Sequence, residues 1–354
     1  MRVGIATVQV PFVRGGAEML AENLFREVRA AGHEAEIVSV PFKWYPPRRI
    51  LETMLACRML DLTESNGVPI DRLIGLKFPA YLMPHPTKVL WLLHQHRGAY
   101  DLWDTPLSDL RPAPDGAHVR EAIHDADRRL IAEARACYTI SRNVSDRLRT
   151  HCGLPSTPLY HPPPGAERFA DMRPEYGDFL LMPSRVNATK RQELVLEALR
   201  HTRQPVRVVF MGPPDEPSYG ERLRRQAEGE GGGGRPRGSV AWTGGVGEDE
   251  KLRLYRECLA VVFPPLDEDY GYVTLEAMLA SKAVVTCTDS GGPLEFVADG
   301  ATGTVCAPEP RALAEAMDRL WENRALARAF GRAARARYDE MGIGWQKVLS
   351  CLLA

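Results

Sequence analysis

The sequence has 354 residues, of which 44% are apolar, so it is long enough for two domains that each bury a core. Lysine and arginine number 45 against 46 aspartates and glutamates, and this balance excludes the basic excess typical of nucleic-acid-binding proteins. No run of about 18 apolar residues occurs and the seven cysteines form no CxxC pair, so we expect a cytoplasmic protein with reduced thiols and no membrane span.

The first predicted elements are a strand, a glycine loop, a helix and a second strand. RVGIATVQV is typical of a buried strand rather than a signal peptide, and the loop VRGGAEM comes after it. Leu20, Leu24 and Val28 then recur at helical spacing, and EAEIVSV is the next strand. This order predicts a parallel sheet with right-handed crossovers.

Aromatic and basic side chains follow the second strand, in the stretch PFKWYPPRRIL. This combination suits a membrane surface or a loop that contacts an acceptor molecule, and the prolines, which break any helix start, favour the loop. Further along, KVLWLLHQH predicts a strand that ends in His94 and His96. Histidines at alternate positions of a strand lie on one side, which also admits a metal site, although no third ligand stands nearby in sequence.

The stretch YHPPPGAERFADMRPEYGD breaks all periodicity and predicts a linker between two domains, divided near residue 172. The α/β pattern then restarts with strand FLLMPS, loop RVNATKR and helix QELVLEALRHT. EGEGGGGRPRG predicts a further loop, and strand LAVVFPP leads into DEDYGYVTLEAM. Two similar α/β domains joined by a linker predict a cleft, with ligands at the carboxyl ends of the strands.

In DEDYGYVTLEAM, Glu268 comes after a predicted strand and Glu276 stands in the first turn of the predicted helix. A carboxylate there can accept hydrogen bonds from ligand hydroxyls, while helix N–H groups hold phosphate. The pair therefore suits a molecule with hydroxyls and phosphates, although an acidic turn before a helix-favouring glutamate explains the pattern equally well. Arg185 and Lys190, five apart on a strand-to-helix loop, suit a diphosphate, with a solvated basic loop as the alternative.

EDYGYVTLEA resembles the E-x7-E signature of retaining nucleotide-sugar glycosyltransferases of family 4, which have the GT-B fold. Its continuation, MLASKAVVTCTDSGGPLEFVADGATGTV, is similar to that family's sequel. The resemblance covers most of the chain, is densest from 180 to 305 and is thinner from 41 to 130. It implies an α/β fold of two Rossmann-like domains facing across a cleft: an acceptor-side domain over 1–172, with segment 344–354 packing back on it, and a donor-binding domain over 173–343.

The resemblance also implies an activity, the retaining transfer of a sugar from a UDP- or GDP-linked donor to an acceptor hydroxyl. The implied setting is bacterial cell-surface polysaccharide or glycolipid synthesis, and the implied acceptor is a saccharide, a lipid-linked molecule or a small molecule. No metal, other cofactor or nucleic acid is implied, and peripheral membrane contact stays open. The alternatives are a GT-B epimerase or phosphorylase, a metal hydrolase built on His94 and His96, and an inactive sugar-binding relative.

The same resemblance implies roles for individual residues. Arg185 and Lys190 hold the donor diphosphate, Glu276 binds the ribose hydroxyls and Glu268 orients the donor sugar. A histidine at the strand end contacts the donor, His94 being the first candidate and His96 the second. Further donor-binding positions are Gly15, Gly16, Gly212, Gly244, Val246, Tyr270, Gly271, Tyr272, Gly291 and Gly292. The candidates for acceptor contact are His96, Arg97 and Asp101, the last with a helix-capping role as its alternative.

Overall fold

The computed structural model describes residues 1–229 and 238–354, which form two compact α/β units. The first comprises Met1–Pro164 and Gly344–Ala354, and the second comprises Gly165–Ile343. The chain therefore passes into the second unit before the predicted residue 172, because the buried ring of Phe169 packs on Tyr255 of that unit, with 5.8 Å between centroids. The predicted glycine-rich loop falls on residues 230–237, outside the described ranges.

The first unit is built on a parallel sheet of six strands. Its elements are β1 (Arg2–Gln9), α1 (Gly16–Ala30), β2 (Glu34–Pro41), α2 (Arg48–Met59), β3 (Glu64–Ser65), β4 (Val68–Pro69), β5 (Arg72–Gly75), β6 (Lys88–Leu92), α3 (Gly116–Leu130), β7 (Ala136–Thr139), α4 (Arg142–Cys152) and β8 (Thr157–Pro158). The sheet order is β2-β1-β5-β6-β7-β8, while β3 and β4 form a separate antiparallel pair.

Local sequence explains where the helices of the first unit begin and end. The predicted face of α1, with Leu20, Leu24 and Val28, is buried. Helix α4 begins after Ser141, whose hydroxyl accepts the N–H of Val144 at 3.1 Å, and it ends at Gly153 in the left-handed conformation. Such a cap contributes about 1 kcal/mol, so Ser141 has a structural role here.

Helix α2 corrects the expectation that the prolines of PFKWYPPRRIL prevent a helix from starting. The helix begins at Arg48, directly after Pro46 and Pro47. Proline is tolerated at a helix start because its missing N–H would have no intrahelical partner there. Tyr45 is exposed before the helix, and the ammonium of Lys43 lies 4.6 Å from its ring centroid.

The second unit contains a second parallel six-stranded sheet. Its elements are β9 (Leu180–Pro183), α5 (Gln192–Leu199), β10 (Arg207–Met211), α6 (Pro217–Glu228), β11 (Ser239–Gly244), α7 (Glu248–Glu257), β12 (Ala260–Val262), α8 (Tyr272–Leu279), β13 (Val284–Cys287), α9 (Pro293–Phe296), β14 (Gly303–Cys306), α10 (Pro310–Glu322) and α11 (Arg324–Met341). The sheet order is β11-β10-β9-β12-β13-β14.

The parallel arrangement of the second sheet decides where its loops lie. All its strand pairs run parallel, so the segments after the strands leave from one edge. Strands β9, β12 and β13 are fully buried and apolar, as expected for a sheet covered on both faces. The sheet thus places the segments that carry the predicted donor-binding residues of this unit at a single edge.

The last helix, α12 (Trp345–Leu352), belongs to the first unit. The Trp345 ring lies 6.1 Å from the Trp91 ring and 6.0 Å from the His161 ring, and Val348 and Leu352 are buried. In the described parts of the chain, no helix combines the length and apolarity needed to cross a membrane.

Candidate active site

Backbone hydrogen bonds join the loops at the carboxyl edge of the second sheet. In sheet order, with the N–H donor first, they are Gly212 to Gly244 (2.8 Å), Val186 to Pro213 (2.9 Å), Leu266 to Thr189 (2.7 Å) and Glu268 to Ser290 (3.0 Å). These bonds run from the end of β11 to the loop after β13. The predicted donor-binding residues of the second unit therefore stand on connected segments rather than on independent surface loops.

Lys190 and Glu268 are brought together by two of these loops. The N–H of Lys190 donates to the side-chain oxygen of Asn187 at 3.1 Å, which fixes a short 3-10 turn over Ala188–Lys190. The ammonium of Lys190 then donates to the carboxylate of Glu268. The two side chains are 17% and 19% exposed, so the ion pair is half-buried and weakly screened by water.

Arg185 lies on the same loop but pairs with a carboxylate that the sequence analysis did not single out. Its guanidinium donates to Asp215 at 3.0 Å, and the amide of Asn187 donates to the other oxygen of Asp215 at 2.8 Å. The Arg185 side chain is 46% exposed. Asp215 therefore holds the orientation of the loop that carries both predicted cations.

Arg191 is a third cation at this edge, and it was also missed. It donates two parallel hydrogen bonds to Asp289, at 2.8 and 2.7 Å, across to the loop after β13. Its backbone has a φ of +58°, and that of Asp267 on the neighbouring loop has a φ of +45°. Left-handed conformations of such residues cost about 1–3 kcal/mol and tend to occur at functional sites.

The sequence pattern predicts Glu276 in the first turn of its helix, and this prediction is wrong. Because Gly271 adopts the left-handed conformation, with φ +88°, α8 begins at Tyr272 and Glu276 is its fifth residue. The carboxylate is 8% exposed. It accepts the hydroxyl of Tyr255 at 2.7 Å and the ammonium of Lys251 at 3.2 Å, both from α7.

The pKa values of the two α7 groups differ from their ordinary values. Burial, together with the charge of Glu276, raises the pKa of Tyr255, so its hydroxyl stays protonated and donates. Burial alone would lower the pKa of Lys251, but the charges of Glu276 and Glu248 raise it above its ordinary value. Tyr255 and Lys251 therefore keep the protons that they donate to Glu276.

The glycines of this edge shape the backbone. Gly212 has a φ of +142°, and a Cβ atom there would lie 2.2 Å from the backbone oxygen of Ser184, so the two loops approach as closely as glycine permits. Gly244 and Gly291 also have positive φ values. The remaining predicted glycine, Gly292, packs on the backbone of Tyr270, where a Cβ atom would lie 2.6 Å from the carbonyl oxygen.

The three larger predicted donor-binding residues differ in exposure. Tyr270 is 4% exposed, and its ring packs edge-on against Tyr272 and Phe296, so its side chain belongs to the core. Tyr272 is half-buried at the first position of α8, and Val246 is half-buried in the segment between β11 and α7. Any contact of Tyr270 with a ligand would therefore be through its backbone.

In the first unit, Gly15 and Gly16 stand where the sequence analysis placed them, before and at the start of α1. The N–H of Gly15, however, donates to the carboxylate of Glu18 at 2.8 Å, and the ammonium of Lys77 lies 3.4 Å from the other oxygen of Glu18. Glu18 of the same helix therefore occupies the N–H of Gly15 in this structure, and the assignment of Gly15 and Gly16 to donor binding stays a prediction.

The two histidines of HQH do not lie on a strand. Strand β6 ends at Leu92, so the alternation that would place both rings on one side does not apply. His94 is half-buried, and its Nδ1 donates to the backbone oxygen of Gln95 at 2.6 Å. His96 packs on Phe78 with 5.4 Å between ring centroids, and burial lowers its pKa to about 4, so it is neutral at pH 7.

Arg97 and Asp101, two of the predicted acceptor residues, pair with each other. The Arg97 guanidinium donates to the Asp101 carboxylate at 2.7 and 2.6 Å, and Arg147 approaches the same carboxylate at 4.0 Å. Asp101 is 10% exposed, so its carboxylate does not extend into solvent. Its partners show that this segment has a defined conformation.

Below this segment lies a buried polar cluster that local sequence patterns did not reveal. Asp127 is fully buried and accepts hydrogen bonds from Gln95 at 2.8 Å and from Tyr81 and Tyr100 at 2.9 Å. Burial raises the pKa of Asp127 to about 6, although the three donors oppose that change. The cluster fixes Gln95, and thereby the backbone between His94 and His96.

The histidines are not part of a recognisable metal site. Over residues 1–229 and 238–354, no three side chains of histidine, cysteine, aspartate or glutamate are grouped so that they could hold a metal ion. The seven cysteines are free thiols. The geometry therefore gives no support to the alternative of a metal hydrolase built on His94 and His96.

Comparison with known proteins finds a family match within the second unit, which also carries this edge of the sheet. Residues 166–337 match the family described as Glycosyl transferases group 1, which covers nearly all of the second unit. Among curated relatives, O-antigen chain mannosyltransferase C of Escherichia coli is 29% identical over 180 residues, or 50% of this chain and 46% of that protein. The human alpha-1,3/1,6-mannosyltransferase ALG2 is 29% identical over 188 residues, or 49% and 44%. The chain thus spans less than half of either relative.

Solved structures extend the similarity of fold to the whole chain. The Anabaena protein Alr3699/HepE, in complex with UDP-glucose, aligns with a TM-score of 0.67 at 15% identity over 98% of this chain and 99% of that one. The glycosyltransferase from Rickettsia africae aligns with a TM-score of 0.73 at 15% identity, over 99% and 97%. The expectation of a GT-B fold with two Rossmann-like units is confirmed, and so is the resemblance to nucleotide-sugar glycosyltransferases at the level of group 1.

Proposed function

We propose that this chain, whose second unit matches the family described as Glycosyl transferases group 1, moves a sugar from a nucleoside-diphosphate sugar to an acceptor hydroxyl with retention of stereochemistry. The observation that carries the proposal is the set of cations and carboxylates on connected loops at one edge of the second sheet, together with Glu276 on the helix α8 that follows one of these loops. Lys190, Arg185 and Arg191 supply positive charge there, and Glu268 and Glu276 supply hydrogen-bond acceptors.

The main chemical demand of the reaction is to stabilise a leaving diphosphate. Lys190 lies on a loop held by Asn187, and its ammonium is half-buried, so its charge acts in a medium of reduced dielectric constant. Arg185 offers a planar group suited to two phosphate oxygens and is close enough to solvent to turn toward a ligand. We assign both to the diphosphate, with no metal ion required for neutralisation.

We assign each of the two glutamates to a different sugar of the donor. Glu268, paired with Lys190, accepts hydrogen bonds from the hydroxyls of the transferred sugar, and Glu276 accepts those of the ribose. Since a diphosphate clamp stands beside the carboxylates, we do not assign them the acid and nucleophile roles of a glycosidase. The leaving phosphate takes the proton of the acceptor hydroxyl.

We further propose a hexose donor linked to UDP or GDP and a saccharide or glycolipid acceptor in surface polysaccharide synthesis. The proposal is supported by the O-antigen and α-mannosyl transferases among the relatives, and by the UDP-glucose held in the similar fold. In the first unit we assign His94 to the donor and His96, Arg97 and Asp101 to the acceptor side. Of these, His94 is the stronger candidate, because His96 is neutral and packed on an aromatic ring.

A thermal-shift screen against a panel of UDP- and GDP-linked sugars tests the donor class. We expect one or two donors to raise Tm by several degrees, since a ligand at about 100 times its Kd stabilises by about 2.7 kcal/mol. The selected donor is then incubated with acceptors, and NMR of the product anomer tests retention. Incubation without acceptor, or with inorganic phosphate, separates transfer from epimerisation and phosphorolysis. If no donor shifts Tm, the proposal is wrong.

A further inference from the structure

Two side chains of helix α7 donate hydrogen bonds to one buried carboxylate on α8, that of Glu276. Lys251 and Tyr255 stand four residues apart, so they project from the same face of α7. The Tyr255 hydroxyl donates to one oxygen of Glu276 at 2.7 Å, and the Lys251 ammonium donates to the other at 3.2 Å. Neither residue belongs to the E-x7-E stretch.

We propose that Lys251 and Tyr255 are positioning residues that fix the Glu276 carboxylate for a ribose diol, and so make the site select ribonucleotides over 2′-deoxyribonucleotides. This inference rests on the proposed function, since it assumes that a nucleoside diphosphate binds at this edge. It adds the origin of the sugar selectivity, which is a pair of residues on a helix outside the motif.

The number of acceptor positions supports this role. A carboxylate offers about four lone-pair positions, two on each oxygen. Among the residues that the structure describes, Tyr255 takes one position on one oxygen and Lys251 takes one on the other, which leaves one acceptor position on each oxygen. Two neighbouring acceptor positions match the 2′- and 3′-hydroxyls of ribose, whereas a 2′-deoxyribose would leave one of them without a donor.

Burial and charge explain why two donors are needed. Glu276 is 8% exposed, and a buried carboxylate with no partner is strongly disfavoured. Lys251 supplies a compensating charge, held in turn by Glu248 at 3.0 Å. Tyr255 is fully buried, and its ring packs against Phe169, so its hydroxyl has a fixed position and little entropy remains to be lost when the ligand binds.

The test compares Kd values of UDP, dUDP, GDP and dGDP by calorimetry for the full chain. In the wild type, we expect the better ribonucleotide to bind at least about tenfold more tightly than its deoxy form, because the deoxy form leaves a buried acceptor unpaired. The substitution Tyr255→Phe removes one hydroxyl and keeps the ring. We expect it to reduce the ribose preference to about threefold or less, while the Kd of the deoxy form changes by less than about twofold.

Two further variants sharpen the comparison. Tyr176→Phe is the matched control, because it removes a hydroxyl that donates to the backbone oxygen of Ser281 at 3.0 Å in the same unit, and it should keep the wild-type preference. Lys251→Gln should also reduce the preference, and Lys251→Arg should restore part of it. If Tyr255→Phe does not fold, the Lys251 pair decides by the same ratio.

The outcomes separate this inference from the proposed function. A wild type that binds neither UDP nor GDP overturns both. A wild type with a ribose preference that Tyr255→Phe and Lys251→Gln leave unchanged overturns only the positioning role. Equal weakening of the ribo and deoxy forms also overturns it, because a general loss of structure would affect both ligands alike.

Discussion

Replacing Lys190 with alanine removes the ammonium group that donates to Glu268 at the sheet edge that we assign to the donor. The loop should keep its course, since the N–H of residue 190 can still donate to Asn187. A fixed donor to a developing charge is typically worth about 2.7–4 kcal/mol, which corresponds to about a hundredfold to a thousandfold in kcat. We expect the lower end of that range, because Arg185 and Arg191 remain nearby on the same loop.

The substitution also affects stability, and the two effects must be separated. Lys190 and Glu268 are 17% and 19% exposed, between a surface ion pair worth up to about 1 kcal/mol and a buried one whose disruption costs about 3–5 kcal/mol. A loss of about 1–2 kcal/mol is small against the 5–15 kcal/mol typical of folded domains. The variant should therefore remain folded at 25 °C while its turnover falls.

The assay is single-turnover release of the nucleoside diphosphate from the donor found in the thermal-shift panel. Lys347→Ala is the matched control, since it removes an exposed lysine from α12. A turnover for Lys190→Ala within threefold of the control, at saturating donor, would refute the assignment of Lys190 to the leaving group. A loss confined to KM would place Lys190 in ground-state binding only.

Four other substitutions have defined outcomes. Asp215→Ala should raise the KM of the donor severalfold with little change in kcat, because Arg185 loses the carboxylate that orients it. Gly212→Ala should destabilise by more than about 3 kcal/mol through a backbone clash, whereas Gly244→Ala, which has positive φ but open space, should cost only about 1 kcal/mol in chemical denaturation. The raised pKa of Asp127, about 6 against 3.8, means that its contribution to stability is present below pH 4 and is lost as the pH rises through 6. Asp127→Asn should therefore gain up to about 3 kcal/mol relative to wild type between pH 4 and pH 7, and an unchanged difference would contradict the buried-carboxylate interpretation.

The fold could be predicted from the sequence because the spacing of apolar residues and the positions of glycine and proline indicated the same elements along most of the chain. The buried face of α1 and the apolar strands of the second sheet were all visible as patterns of apolar residues. The boundary between the two units was harder to predict from the sequence. The predicted linker could not show that Phe169 packs on Tyr255, since that contact joins residues far apart in sequence.

The site was partly accessible for a similar reason. The E-x7-E spacing and the basic loop indicate Glu268, Lys190 and Glu276 as candidates because these residues carry local signals, and their assignment to the site stays a prediction. Asp215 and Asp289 were missed because each pairs with a cation on another loop, 30 and 98 residues away. Only the tertiary arrangement of strands makes those pairs neighbours.

Two predictions misplace the boundary of a regular element. The alternation in HQH predicts that the strand continues, but β6 ends at Leu92, and the buried cluster around Asp127 governs the backbone beyond that residue. The motif predicts Glu276 in the first helical turn, but α8 begins at Tyr272, directly after Gly271 in the left-handed conformation, so Glu276 is its fifth residue. In both cases the spacing of the residues is right and the predicted conformation of the backbone is not.

The place of α12 in the first unit has a consequence for how the protein folds during synthesis. Trp345 packs on Trp91 and His161, yet residues 165–343, which amount to 179 residues, are translated between them. At about 5–20 residues per second, the ribosome needs about 9–36 s for that interval. During this time the surface that receives α12 is uncovered, so the nascent first unit should be a substrate for chaperones until the last helix emerges.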